Sequence, residues 1–314
     1  MATRAEGADG ERAAALASVF GWLPSVETQP VLRVVFGPEL PAVPDRAPDE
    51  AYGPAVRVWR AGEVLTVADG GDLVAVATPT DVRVGGAPKK AIRHVALLAL
   101  GHVLGFHRRF VLHAGVIARE ARVALVPGES GRGKSSVVAA ARAAGWEALG
   151  DDTAILRVDG PTVSVSTLGL PLLFPGDLLP GDLSGSEPVG DDPRARHTFP
   201  APPPRWRGVT DLVVPAHGSG AGELVPLTPL ATFEAAVGAF VRASDAELVR
   251  RYAPAASALS RLPAWRLAIP AAAPERRAGI GRLLGTVVDN PAAPTAPSEE
   301  SAAHPAGEPP IPAE

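Results

Sequence analysis

The sequence of 314 residues contains no cysteine, and its basic residues are not in excess. Without cysteine there are no disulfide bonds, thiolate nucleophiles or zinc sites with cysteine ligands. The absence of cysteine does not indicate the cellular compartment, because secreted proteins can also lack cysteine. The formal net charge is −4, so the composition does not indicate nucleic-acid binding through a basic surface. We therefore expect no nucleic-acid partner.

Long apolar runs and a signal peptide are also missing. The longest apolar run, Val95–Phe106, contains His102 and is too short to span a bilayer, which takes about 20 residues. It is interpreted as a buried helix. The segment Met1–Arg12 is polar and acidic and lacks the basic start and apolar centre of a signal peptide. The sequence therefore predicts a cytoplasmic protein without a membrane partner.

Lysine is scarce in this chain. Of 30 basic residues only Lys89, Lys90 and Lys134 are lysines, which leaves 27 arginines. Together with the many Ala, Gly and Pro residues, this bias is typical of a GC-rich gene. Lys134 is therefore informative, because a compact ammonium fits between phosphates where the broad fork of arginine does not.

The first part of the chain, residues 1–106, is predicted to be a small β-rich domain with a linking helix. A short helix is expected over Ala13–Phe20 and a longer one over Ala91–Phe106, which leads into the second domain. Short apolar runs separated by Pro, Gly and Asp predict strands at Val31–Phe36, Ala55–Trp59, Val64–Val67 and Leu73–Ala77.

Residues 107–290 are predicted to form a second domain that mixes strands and helices. We expect strands at Phe110–Ala118, Val123–Val126, Thr153–Val158, Thr162–Ser166, Val209–Val214 and Trp265–Ile269, and helices at Lys134–Ala144, Thr232–Arg242, Asp245–Tyr252 and Pro274–Val288. Asp159-Gly160 is a hairpin signal, so the sheet is not purely parallel. Gly176–Pro204 is predicted to be a long exposed loop, and residues 291–314 a disordered tail.

One segment of the second domain carries a specific motif. Gly128–Ser135 matches G-x-x-x-x-G-K-[ST] in full, between a predicted strand and a predicted helix. The alternative is a glycine-rich turn that fits by chance. Backbone N–H groups and the helix N-terminus would cradle phosphates, Lys134 would reach the β- and γ-phosphates, and the Ser135 hydroxyl would bind Mg²⁺. The residues predicted to bind ATP are Gly128, Ser130, Gly131, Arg132, Gly133, Lys134, Ser135 and Ser136.

A tandem acid follows the motif. The predicted helix and Gly145 would return the chain to the sheet, so Asp151 and Asp152 are expected beside the phosphates. One carboxylate there could hold Mg²⁺ and the other could accept a proton from an attacking hydroxyl. The alternative is a solvated acidic turn.

The segments Leu112–Ala118, Val123–Val126, Gly128–Ser135 and Gly145–Asp152 resemble the C-terminal kinase domain of the HPr kinase/phosphorylase family. The resemblance is firm over residues 110–158 and continues weakly to Trp265–Leu267. It implies an α/β (α+β) fold with a P-loop kinase core and mixed sheet, akin to ATP-type phosphoenolpyruvate carboxykinase. Members of the resembling family assemble as oligomers, so the resemblance also implies a homo-oligomer. That family phosphorylates a serine hydroxyl in a protein, and some relatives act on peptides or small molecules.

The resemblance also assigns site residues. It implies that His113, Asp151 and Asp152 are catalytic, with Asp151 as base and Asp152 on the metal side with Ser135, although the two aspartates could exchange roles. The family's Glu-Ile-Arg-Gly signature is missing, since Thr167–Leu170 stands at that place without charges. The resemblance therefore does not decide whether HPr is the substrate or whether the protein has a phosphorylase activity. Arg194 and Arg196, in the predicted loop, could contact the transferred phosphoryl group.

Three functions are compatible with these observations. The first is a kinase that transfers the γ-phosphoryl group of ATP to a hydroxyl, such as a serine of a protein or peptide. The second is an ATP-binding regulatory protein without turnover, which the missing charged signature favours. The third is a small-metabolite kinase whose substrate is enclosed by the N-terminal domain and the 176–204 segment.

Overall fold

The computed structural model is a mixed α+β fold. It describes residues 33–37, 39, 41–52, 56–70, 73–86, 92–129, 131–169, 171–175, 187–189, 196–218, 222–240, 246–270 and 273–288. The predicted helix at Ala13–Phe20, residues Ser130 and Arg194, and the predicted tail lie outside this part. The helices, numbered along the described chain, are α1 (Ile92–Phe106), α2 (Lys134–Ala143), α3 (Pro229–Ala239), α4 (Ala246–Leu259) and α5 (Ala273–Val288).

A six-stranded sheet forms the N-terminal part. Its strands are β1 (Arg33–Gly37), β2 (Glu50–Tyr52), β3 (Val56–Ala61), β4 (Val64–Asp69), β5 (Leu73–Ala77) and β6 (Asp81–Gly86). Their order is β1-β6-β5-β4-β3-β2, parallel between β1 and β6 and antiparallel elsewhere. The four predicted strands are confirmed, but β2 and β6 were not predicted. In β6, Val82 and Val84 alternate with polar Arg83, which is the pattern of a half-buried strand.

A second six-stranded sheet lies at the centre of the C-terminal part. Its strands are β8 (Ala114–Arg119), β9 (Arg122–Pro127), β10 (Glu147–Gly150), β17 (Asp211–His217), β18 (Glu223–Pro226) and β19 (Ala264–Ile269), in the order β10-β8-β9-β17-β19-β18. The neighbours β9, β17 and β19 are parallel, and the outer strands are antiparallel. This sheet is therefore mixed, as the sequence predicted.

Both faces of this central sheet are covered, because its inner strands alternate between two hydrophobic clusters. Val123 and Leu125 point to the cluster that contains α3 and α4 residues, and Ala124 and Val126 to the cluster that contains α2 and α5 residues. This arrangement fixes the start of α2 at the end of β9, where the phosphate motif lies.

Two smaller sheets flank the centre. One contains β7 (Arg109–Leu112), β11 (Ala154–Asp159), β12 (Thr162–Thr167) and β16 (Arg207–Gly208), and the other contains β13 (Leu172–Pro175), β14 (Glu187–Val189) and β15 (Arg196–Phe199). The predicted hairpin is confirmed, but its turn lies one residue later than predicted: Asp159 belongs to β11 and pairs with Thr162, and Gly160, with φ +60°, and Pro161 form the turn.

The structure corrects the prediction of one strand over Phe110–Ala118. The strand breaks at His113, so that β7 and β8 belong to different sheets. Here the His113 amide donates to the Ala239 carbonyl, 2.7 Å away, and Leu112 bridges Phe240. A tertiary contact with the end of α3 therefore ends β7, and residue-by-residue patterns do not show it.

The predicted loop Gly176–Pro204 is also corrected where it is described. β14 and β15 lie within it, and β15 pairs with β13. Phe199 is buried and its ring lies 5.7 Å from that of Phe174. The many Pro, Gly and Asp residues of this segment concealed a strand that a buried aromatic pair stabilises.

Helix bounds differ from the prediction in two places. α3 begins at Pro229, after the Thr228 side chain accepts from the Ala231 amide, and it ends at Ala239. α4 continues to Leu259 although it contains Pro254, which costs a helix interior about 3 kcal/mol. Buried residues on either side of that proline, Tyr252 and Leu259 among them, offset the cost by packing in the core.

α1 connects the two parts of the molecule. Val95, Leu100 and Val103 lie in one hydrophobic cluster with residues of β3 to β6, and this cluster also includes Val111 and Ile155 of the flanking sheet. The N-terminal sheet and the C-terminal part therefore share buried apolar surface. Within the described residues, no helix is long and apolar enough to cross a membrane.

Candidate functional site

The loop between β9 and α2 is shaped by glycine. Gly131 and Gly133 have φ values of +82° and +96°, and Gly133 is the N-cap residue of α2. A Cβ atom at Gly133 would force the end of the Ile269 side chain of β19 to move, and the left-handed φ disfavours any residue with a side chain. The first N–H groups of a helix have no partner within the helix, and they point toward this loop. A helix N-terminus in this setting attracts anions such as phosphate.

Lys134, the first residue of α2, turns its ammonium into the protein. Its Nζ atom lies 2.7 Å from Nε2 of His113 and donates to the Glu129 carbonyl at 3.0 Å. Lys134 is only 5% exposed. Burial lowers the pKa of Lys134, and the nearby charges of Asp152 and Asp151 oppose this shift. The motif lysine is therefore a buried cation beside two carboxylates.

His113 joins this lysine to Asp152. Its Nδ1 atom lies 3.2 Å from Oδ1 of Asp152. An ammonium can only donate, so Nε2 of His113 accepts from Lys134, and Nδ1 carries the proton that faces Asp152. The three side chains form a continuous Asp–His–Lys chain. Its members come from the β10–β11 turn, the β7–β8 break and the start of α2.

Asp151 points elsewhere. Its Oδ2 atom accepts from the Leu173 amide at 2.9 Å, which attaches the β10–β11 turn to β13. The adjacent aspartates, in the bend between β10 and β11, thus contact different partners. Both are partly exposed, and the charge of Asp152 raises the pKa of Lys134 more than the charge of Asp151 does. The Leu173 amide carries no signal in the sequence, because every residue except proline has one.

A shallow cleft of about 220 Å³ opens beside the two aspartates. Its lining residues are Leu149, Gly150, Asp151, Asp152, Thr153, Thr167, Leu168 and Gly169. Thr167 and Leu168, where the resembling family has its charged signature, are 7% and 2% exposed. This wall supplies packing and no charge.

The other residues predicted to bind ATP or phosphate differ in their burial and in their contacts. Ser135 and Ser136 are half-buried in the first turn of α2, and Gly131 and Arg132 are exposed. Arg132 faces Glu129, with Nη2 3.7 Å from Oε2. The backbone of Arg196 belongs to β15, where it pairs with Pro175 and Val189, and its side chain is outside the described part.

The donor set fits a magnesium ion only in partnership with a nucleotide. The described residues contain no group of three or more His, Asp or Glu side chains that could hold a metal by itself. Mg²⁺ is commonly bound by one or two protein oxygens together with substrate phosphates. The Ser135 hydroxyl and an aspartate of the 151–152 pair could supply those oxygens.

Comparison with known proteins adds little to this geometry. No protein-family model matches the chain, and no curated protein matches it. Among solved structures it is similar to the HPr(Ser) kinase/phosphatase from Coxiella burnetii, with 11% identity over 57% of this chain and 95% of that chain. The TM-score is 0.29, which is too low to carry an argument about function. The function is therefore inferred from the residues of the site.

Proposed function

We propose that this protein is an ATP-dependent kinase that transfers the γ-phosphoryl group to a hydroxyl, a serine of a protein or peptide, with Mg²⁺ as cofactor. The Asp–His–Lys chain carries this proposal. It places a buried cation at the start of a helix, behind a glycine-rich loop, with two carboxylates beside it. Positioning and charge stabilisation are the main requirements of phosphoryl transfer.

Each residue then has a defined task. The loop amides and Lys134 hold the β- and γ-phosphates, and the ammonium balances the negative charge of the transferred group. Asp152 or Asp151 accepts the proton of the acceptor hydroxyl. The acceptor oxygen bonds to the γ-phosphorus as the bond to the bridging oxygen breaks, which leaves ADP. His113 holds Lys134 and Asp152 in register, and bound magnesium would neutralise part of the phosphate charge.

The open shape of the cleft favours a polypeptide acceptor over an enclosed metabolite. Pockets for small molecules usually enclose most of the ligand. The cleft at Asp151 and Asp152 is shallow and open to solvent. A serine on an extended segment needs only its hydroxyl to enter such a cleft.

A second candidate is an ATP-binding regulatory protein without turnover. One observation favours it. Thr167 and Leu168, which line the cleft beside the aspartates, are buried and bring no charged group to it. ATP would then stabilise the fold around α2 without being consumed.

Turnover assays separate the two candidates. We expect purified wild-type protein to release ADP from ATP–Mg²⁺ in the presence of a serine-containing acceptor. Lys134→Ala should abolish ATP binding, and Asp152→Asn should lower turnover by about 10²–10⁴-fold, the usual contribution of a general base. Asp45→Asn is the matched control, since Asp45 is exposed in the N-terminal part and does not line the cleft.

Three outcomes decide between the candidates. Wild-type protein that binds ATP and never transfers phosphate would support the regulatory function. Equal turnover in Asp152→Asn, Asp151→Asn and the Asp45→Asn control would refute the assignment of the aspartates. Unchanged ATP binding in Lys134→Ala would refute the phosphate site itself.

A further inference from the structure

A basic and aromatic surface lies on the flanking sheet, away from the Asp–His–Lys chain. Trp206 is 40% exposed, and two guanidinium groups lie over its ring, with Cζ of Arg157 5.2 Å and Cζ of Arg109 5.5 Å from the ring centroid. Arg205 and Arg207 are its chain neighbours. We call Arg109, Arg157, Arg205, Trp206 and Arg207 the Arg–Trp patch.

The backbone brings these like charges together. Arg109 and Arg157 are direct partners across β7 and β11, a pairing that is unfavourable without a compensating group. The electron-rich face of Trp206 offsets the repulsion, since a guanidinium over an aromatic ring gains about 0.5–1 kcal/mol at an exposed site. Both arginines are thereby held in fixed positions at the surface.

The patch keeps a positive charge within an acidic protein. Asp159 lies 2.7 Å from Arg157, and Glu147 lies 2.9 Å from Arg207. Four guanidinium groups nevertheless lie together here, in a chain whose formal net charge is −4. An acidic ligand is therefore attracted to this part of the surface.

Two clefts beside the patch and the aspartates share lining residues. The first is lined by Val116, Leu149, Val165, Ser166, Thr167, Pro202, Pro203, Arg205 and Arg207. Leu149 and Thr167 also line the cleft at Asp151 and Asp152. Because the clefts share these residues, an extended chain that occupies both would reach from the arginines to the carboxylates.

We propose that the Arg–Trp patch docks an acidic segment of the acceptor polypeptide, so that a serine on the same segment reaches the cleft at Asp151 and Asp152. The direction toward that cleft rests on the proposed kinase function. Guanidinium groups bind carboxylates through paired hydrogen bonds, and a pre-positioned tryptophan adds contact area at a low entropic cost. The substrate class is thus an acidic, serine-containing peptide or protein segment.

Binding of synthetic peptides tests the docking surface without any turnover. The probes are fluorescein-labelled peptides of alternating Glu and Ser or alternating Lys and Ser, measured by fluorescence anisotropy in the absence of nucleotide. Arg205→Glu reverses a charge in an exposed residue of the patch. Arg282→Glu is the matched control, because Arg282 is exposed on α5, which packs on the opposite face of the central sheet.

We expect the Glu–Ser peptide to bind more tightly than the Lys–Ser peptide, and Arg205→Glu to weaken it about tenfold, as reversal of a contact charge does. Arg282→Glu should leave it unchanged. Equal binding of the two peptides, or equal losses in the two variants, would overturn the proposal.

Kinetics distinguish this inference from the kinase function on which it rests. With the Glu–Ser peptide as acceptor, Arg205→Glu should raise the peptide KM about tenfold and leave kcat and the ATP KM unchanged. Transfer with an unchanged peptide KM would overturn the docking surface and keep the kinase. Peptide binding that depends on Arg205, without transfer in any condition, would keep the acidic docking surface and refute the kinase.

Discussion

Lys134 carries a cost to stability that its proposed role in phosphate binding would explain. Its ammonium is buried, and burial lowers its pKa below the ordinary value of 10.5. A cation with a lowered pKa contributes stability above the unfolded-state pKa and loses it as the pH falls through the folded-state pKa. Below the folded-state pKa the charged lysine is therefore kept at the expense of the folded state. Phosphates would supply the compensation that the protein alone does not.

Replacing this lysine should stabilise the protein and remove its response to nucleotide. We expect Lys134→Met to raise Tm at neutral pH by about 2–4 °C, a gain of about 1 kcal/mol. The gain should shrink as the pH rises toward 10.5, because the folded-state lysine loses its charge below that ordinary value. Thermal melting across pH, with and without ATP–Mg²⁺, measures both effects.

The control for this prediction is a cation from the same loop. Arg132 is exposed, so Arg132→Met should change Tm little. A fall in Tm for Lys134→Met would show that its bonds to His113 and Glu129 outweigh the cost of burial.

At the scale of elements, glycine residues stand at both ends of α2 for different reasons. Gly133 precedes the helix and Gly145 follows it, with φ values of +96° and +84°. A Cβ atom at Gly133 would meet Ile269 of β19, whereas one at Gly145 would meet nothing within 4 Å. Both positions require a left-handed backbone, but only the first also requires close packing beside the phosphate loop.

The two glycines therefore form a matched pair of variants. Gly133→Ala and Gly145→Ala should each lose about 1–2 kcal/mol from backbone strain. Gly133→Ala should lose more in urea unfolding, because Ile269 must move, and its ATP affinity should fall at least tenfold. Gly145→Ala should keep wild-type affinity. Equal effects of the two variants would show that α2 does not depend on its contact with β19.

A buried ionic link attaches three elements at the far end of the central sheet. Arg122 of β9 donates to the Val287 carbonyl of α5 at 2.8 Å and lies 3.3 Å from Oδ2 of Asp211 in β17. Asp211 is 1% exposed, and burial raises its pKa, against the opposing effects of Thr210 and Arg122. Loss of the arginine would leave a carboxylate without its cation in the interior.

We therefore expect Arg122→Met to lower the free energy of unfolding by about 3–5 kcal/mol at neutral pH. A raised folded-state pKa gives stability that is lost as the pH rises through it, so part of the loss should be recovered on acidification. Adding Asp211→Asn should also recover part of it. Urea unfolding measures all three, with Arg119→Met, the direct partner of Arg122 across β8 and β9, as control. A similar loss in that control would contradict the role of the buried pair.

Local signals in the sequence predicted the elements that local chemistry determines. The Asp159-Gly160 hairpin and the start of α2 at Lys134 follow from turn and motif residues within a few positions. The break at His113 depends on Ala239, and strand β15 depends on the burial of Phe199 against Phe174. Such contacts join distant segments, so short-range patterns did not predict them.

In the candidate site, too, local signals predicted some residues, whereas contacts between distant segments determine others. The motif specified Lys134, and the tandem acid was expected beside it, but neither indicates that His113 lies between Lys134 and Asp152. That position follows from how the break in the β7–β8 segment meets the start of α2. Three parts of the interpretation stay predictions: the binding of ATP and Mg²⁺, the contact of Arg196 with phosphate, and the separate roles of Asp151 and Asp152.

At the scale of the whole molecule, α1 couples the N-terminal sheet to the part that holds the site. Leu100 is 1% exposed in a cluster that joins Val67 of the N-terminal sheet to Val111 and Ile155 of the flanking sheet. The predicted division at residue 106 thus crosses a shared hydrophobic core. Because this core reaches the strand before His113, we expect the two parts to unfold together.

Leu100→Ala tests that coupling. Truncation of a buried leucine costs about 2–5 kcal/mol, and the loss should spread across the shared core. Hydrogen exchange followed by mass spectrometry should then show faster exchange in β5 and in β11 alike. Leu230→Ala is the control, since Leu230 is 68% exposed and should change neither. Faster exchange confined to β5 would show that the N-terminal sheet unfolds independently, and ATP–Mg²⁺ would then protect β11 without protecting β5. Under the coupled fold, nucleotide bound at α2 should slow exchange in both strands, because stabilisation of the folded state applies to every segment that opens only by global unfolding.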